Sequence, residues 1–184
     1  VQLNDQAAAP TFAHKLGDVP HVSGLLRRIA QLSGAEERVT EWLFKVAVAR
    51  GANHYRRDFD PTLPVDLPAI SDEEIGVALC LGQHPYNLDA LRVAAQLLSS
   101  PRTDAARLCR LAEQERCEPV LLHIAGIAGK YAPAQAPWAY LREHLRPRRV
   151  PHTEALPHWS RLVSHTGVTA NGGAARTDWL CRHE

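Results

Sequence analysis

The sequence has no Met, and its Lys are confined to Lys15, Lys45 and Lys130. Without Met, Val1 is expected to follow a trimmed or removed segment, and positions 1–20 show no signal-peptide apolar core. No apolar run approaches the ~20 residues of a membrane span, which argues against a membrane protein. Net charge is almost absent as well: 21 Lys plus Arg against 20 Asp plus Glu leave +1. That balance argues against a generic nucleic-acid coat protein but leaves room for a local basic patch. Cysteine is sparse. Cys80, Cys109, Cys117 and Cys181 lack CxxC and lack the dense spacing of a disulfide scaffold. Reduced thiols in a cytoplasmic protein are expected, with Cys80, Cys109 and Cys117 in the core.

The excess of Arg over Lys, 18 to 3, is the kind of composition a GC-rich bacterial genome produces. It also supplies side chains suited to bidentate carboxylate and phosphate contacts. At 184 residues, the chain is long enough for one domain with its own core and an appended tail.

Helical periodicity dominates the middle of the chain. Val22, Leu25, Leu26, Ile29 and Leu32 form one stripe, closed by Gly34. Val39, Trp42, Leu43, Val46 and Ala47 form the next, with Glu41 and Lys45 as an i,i+4 pair outside and Gly51 as the stop. Residues 58–70 carry Pro61, Pro64 and Pro68, which forbid helix and predict an extended connection. Ser71 and Glu74 then form a capping box. The helix they open, over 72–82, is apolar nearly all round and is expected to be buried on several sides.

Pro85 breaks the chain before a helix over 87–99, with Leu88, Leu91, Ala95 and Leu98 inward. Pro101, with Ser100 as cap, predicts a helix start there, running to 116. Its inner face is Ala105, Leu108, Leu111 and Ala112; Arg102, Arg107, Arg110 and Arg116 face out among Glu113 and Glu115. Pro119 and Pro137 open the last two helices, with Leu121, Ile124, Ala128 and then Trp138, Leu141, Leu145 inward. The segments 88–98 and 118–128 stand in equivalent places about 30 residues apart, a period that suits paired-helix repeats. The expected fold is therefore all-α: an irregular bundle or a short right-handed array of paired antiparallel helices. The domain plan is an arm over 1–20, a helical domain over 21–145, and a Pro-, His- and Arg-rich extension over 146–184.

Three groups of residues are candidates for chemistry. In the extension, His152, His158, His165, Cys181 and His183 have zinc-compatible donors. Their spacing is poor for one ion: His158 and His165 on one helix face would sit ~10.5 Å apart along the axis. Surface histidines in a polar tail are the plainer reading. Second, Arg142, Arg146, Arg148 and Arg149 cluster between Trp138, Tyr140 and Trp159. Residues 138–184 hold seven Arg and four Asp or Glu, a net of +3, so residues 1–137 carry −2. Arginine beside aromatics suits nucleic-acid phosphate and base stacking; the acidic face of a protein partner fits it equally. Third, Asp58 and Asp60 beside Arg56 and Arg57 match a cation site only at dipeptide level, and local Arg–Asp pairing explains them.

Enzyme signatures fail. The GIAGK of 126–130 is too short for a phosphate loop, lacks Ser or Thr after Lys130, and lies in a helix. His123 with Cys109 or Cys117 could pair as thiol and imidazole, but a core histidine beside buried thiols is the simpler reading. The expectation from sequence is a non-catalytic, cytoplasmic, helical protein-interaction module with a basic C-terminal contact. Nucleic-acid binding through the Arg cluster is the alternative, and a metal-binding protein or enzyme using the C-terminal His and Cys is the third.

Overall fold

A computed structural model of the chain describes residues 23–34, 39–52, 69–81, 88–131 and 133–146. The arm over 1–20, most of the Pro-rich connection, the Arg56–Asp60 group and all of the extension beyond Arg146 lie outside the described residues. Among the described residues the protein is all-helical, with α1 (Gly24–Ser33), α2 (Val39–Ala49), α3 (Asp72–Cys80), α4 (Leu88–Leu98), α5 (Ala105–Glu115), α6 (Glu118–Tyr131) and α7 (Ala136–His144).

Most helix ends follow from local chemistry. The Ser23 hydroxyl accepts the Leu26 N–H at the start of α1, and Gly34 closes it at φ 60°. Gly51, at φ 101°, lets the Ala52 N–H turn back to the Ala47 carbonyl at 2.9 Å. The Ser71–Glu74 capping box opens α3 as expected. Pro137 sits in the first turn of α7, where its missing N–H costs nothing.

The start of α5 corrects the sequence expectation. Pro101 and Ser100 do not open a helix. The Thr103 N–H bonds the Ser100 carbonyl at 3.0 Å, so Pro101 occupies the second position of a turn, which its fixed φ suits equally well. The helix begins four residues later with Asp104 as cap, its carboxylate accepting the Arg107 N–H at 2.9 Å. At its other end Arg116 adopts the left-handed conformation (φ 57°), and the Cys117 N–H reaches the Ala112 carbonyl at 2.9 Å. Glu118 can then begin α6 at once.

Helix α3 is the centre of the packing, touching α1, α2, α4 and α5. Every residue from Glu73 to Cys80 is buried, as the all-round apolar pattern implied. Contacts run α1–α3–α5–α7 along one row, while α2 packs on both α3 and α4, and α6 on α5 and α7. The core joins Ile29, Leu43, Ile75, Leu97, Leu98, Leu108, Leu121, Ile124, Trp138 and Leu141, all essentially fully buried. Two details depart from the periodicity. Leu32, at the end of the α1 stripe, is 45% exposed, and Glu115, expected outside, is buried.

Close helix contact rests on Gly76. A Cβ there would lie 2.6 Å from the Leu98 side chain, which is fully buried and has nowhere to swing. Gly126 on α6 faces open space. Gly76→Ala would gain about 1 kcal/mol of helix propensity but overpack the α3–α4 contact at about 1–3 kcal/mol. A net loss of up to about 2 kcal/mol is predicted from urea unfolding. Gly126→Ala should instead stabilise by about 0.5–1 kcal/mol.

Candidate functional site

Polar side chains with long-range partners concentrate at the first turn of α3. Three consecutive carboxylates serve three different neighbours. Asp72 accepts from Arg50, just past the end of α2, at 3.0 Å. Glu73 accepts the backbone N–H of Asp104, the α5 cap, at 2.8 Å. Glu74 accepts the Ser71 N–H at 2.8 Å, pairs with Arg28 of α1, and lies 3.4 Å from the Arg107 guanidinium of α5. Helix starts have backbone donors without intrahelical partners, and acids in the first turn also complement the macrodipole. Another buried acid, Glu115, repeats the device by accepting the Leu25 N–H at the start of α1, at 3.3 Å.

Burial by itself pushes the Glu74 carboxyl up. The Ser71 N–H and the Arg28 and Arg107 charges outweigh that and hold it below the ordinary glutamate value. Its side chain is 8% exposed, whereas those of Arg28 and Arg107 are 47% and 44% exposed. Two half-exposed cations thus stand on one buried anion.

A second concentration lies along α7. Here the structure separates residues that the sequence grouped. Trp138 is fully buried; its indole N–H donates to the Ser99 hydroxyl at 2.9 Å, and that hydroxyl donates to the Ala95 carbonyl at 2.6 Å. Its ring has no exposed face to offer a base or a partner, which corrects its assignment as a contact residue. Arg142 is held inward too: its guanidinium donates to the Ala125 carbonyl at 3.0 Å. It crosses α6 at Gly129, where a Cβ would meet it at 2.9 Å. Arg146 is exposed, and its guanidinium donates to the neighbouring Leu145 carbonyl at 3.3 Å. Beside it the exposed His144 ring stacks on Tyr140, centroids 3.9 Å apart and planes 10° apart, and His144 Nδ1 lies 3.0 Å from the Tyr140 carbonyl. Arg148, Arg149 and Trp159 lie outside the described residues, as do His152, His158, His165, Cys181 and His183.

The described thiols are core groups. Burial pushes Cys80 up to about 12. Cys117 is raised well above its ordinary value by burial and then by Cys80, Glu118 and Glu115. Cys109 is raised by burial and by the Glu113 charge. A thiol held protonated is a poor nucleophile. Among the described residues no group of three or more His, Cys, Asp or Glu is placed to hold a metal ion.

The chain matches no family model, no curated protein and no solved structure.

Of the first cluster, sequence reasoning found only the Ser71–Glu74 cap. Arg28, Arg107, Asp72 and Glu73 were read as helix surface or left unassigned. The available signal was three acids in a row opening a helix with no polar face, since buried carboxylates need partners from elsewhere.

The lowered Glu74 value sets a pH dependence. Its contribution to stability is complete above the ordinary value of 4.5 and drains away as pH falls through the lower folded value. Urea midpoints measured from pH 7 down to pH 3 should fall less steeply for Glu74→Gln than for the unaltered chain. Equal slopes would show that Glu74 is not held in the charged form.

Proposed function

We propose that this chain is a non-catalytic helical interaction module. Its contact is the basic end of α7 and the Arg-rich run that follows, and its partner is the acidic face of another protein. The observation that carries the reading is the exposed Arg146 beside the stacked Tyr140–His144 pair, immediately ahead of Arg148 and Arg149 in the sequence. Arginine and aromatic rings are the side chains that dominate protein interfaces. In the described body Asp72, Glu73, Glu74 and Arg142 serve instead as ties between elements. Its thiols are held protonated, which favours a binding role over nucleophilic chemistry.

The inward position of Trp138 removes one of the three aromatics that made base stacking attractive, and this favours the protein partner over nucleic acid. No helix among the described residues is long and apolar enough to cross a membrane. The expected setting is the cytoplasm, in keeping with the sparse, unpatterned cysteines.

Co-purification from the native source at low salt, with and without nuclease, tests the reading. The full chain and an Arg146→Glu, Arg148→Glu, Arg149→Glu variant serve as baits. A protein retained in stoichiometric amount after nuclease, released as salt rises, and lost from the charge-reversed bait is the expected result. Capture of material that nuclease removes would transfer the function to nucleic-acid binding. Equal capture by both baits would remove the α7 end from the interface.

A further inference from the structure

The Arg28–Glu74–Arg107 cluster has features that a tie between helices does not require. Arg28 comes from α1 and Arg107 from α5, and each meets a different oxygen of one carboxylate. That carboxylate is nearly buried, and its remaining capacity is used by the Ser71 N–H. The two guanidiniums are therefore held side by side, pre-oriented, with close to half their side-chain surface in solvent. Each carries five N–H donors and directs one Nη2 group at Glu74, so the other two nitrogens of each fork are not used by that contact.

Arg27, Arg28, Arg107 and Arg110 against Glu73, Glu74 and Asp104 leave this corner at +1. Asp104, the exposed acid on the same turn, keeps its negative charge while accepting the Arg107 backbone N–H. Arg110, exposed, lies one turn along α5 from Arg107. Exposed Arg27 adjoins Arg28. An anion seated across both forks would lie about 4 Å from each cation and about 7 Å from the Glu74 carboxylate. Coulomb energy scales as 1/r, so the two near cations attract it more than the Glu74 carboxylate repels it.

The shape of the cluster selects among anions. A carboxylate has two oxygens in one plane and matches a single fork. A phosphate monoester has three terminal oxygens pointing in different directions and can receive two forks at once. We propose that Arg28 and Arg107, positioned by Glu74, form a binding site for a phosphate monoester group. The site is on different helices from the α7 contact and stands independently of it. Glu74 is a positioning residue; Arg28 and Arg107 touch the ligand.

The test is a titration of the 15N-labelled full chain with sodium phosphate at pH 7.5, followed by the Arg Nε–H and backbone amide signals. Sodium chloride at matched ionic strength is the reference. Saturable shifts at Arg28, Arg107 and the first turn of α5 are expected, with a dissociation constant on the order of 1 mM. Arg107→Gln should weaken binding about tenfold. Arg107→Lys keeps the charge and the fold but lacks the fork, and should also weaken it. Lys130→Gln, on α6, should bind as the unaltered chain does. Glycerol phosphate and a phosphoserine peptide, run in parallel, distinguish a small-molecule source from a modified side chain, and tighter binding of either than of inorganic phosphate supports the site. Non-saturating shifts shared with chloride would overturn the proposal. So would an Arg107→Gln variant that keeps its full affinity while remaining folded.

Discussion

The first turn of α3 organises the described body. Asp72, Glu73 and Glu74 follow one another in the chain, yet each carboxylate serves a different region: the end of α2, the start of α5, and α1 together with α5. Placing acids this deep is costly unless each is satisfied. Here the partners are cations and unpaired backbone N–H groups, so the burial also settles the positions of other helices. A central helix with no exposed face cannot be anchored by solvent, and its charged end anchors it instead. The Glu115 contact to the start of α1 applies the same rule from the opposite direction.

The α6–α7 end is held differently. It depends on one buried hydroxyl relay, from Trp138 through Ser99 to Ala95, and on Arg142 lying across the notch left by Gly129. An arginine that looks like part of a surface cluster in the sequence is thereby converted into a clasp between two helices. This division gives the molecule two distinct basic regions. One is built from α1 and α5 on a buried carboxylate. The other begins at Arg146 and continues along the chain.

The helical class, six of the seven helix starts to within a few residues, and the core positions of three cysteines were legible in the sequence, because apolar spacing and cap residues are local signals. The Pro101 turn was not. Proline is equally at home in the first turn of a helix and at the second position of a turn. The choice was made by Asp104, whose N–H is taken by a Glu73 carboxylate 31 positions away in sequence. Partner choice for charged residues was also hidden. Nothing in the spacing of Arg142 distinguishes it from Arg146, and Arg142 folds inward to the Ala125 carbonyl, past the bare Gly129. Trp138 was legible by its spacing with Leu141 and Leu145 as a core side chain, though its place beside arginines also suggested a contact; the buried Ser99 hydroxyl receives its N–H in the core.

The central claim is that one carboxylate couples helices that are distant in the sequence. Native-state amide hydrogen exchange of Glu74→Gln tests it most directly. If the account holds, protection falls together in α1, in the first turn of α3 and at the start of α5, while α6 and α7 keep theirs. Loss confined to the first turn of α3, or spread evenly over all seven helices, would contradict it.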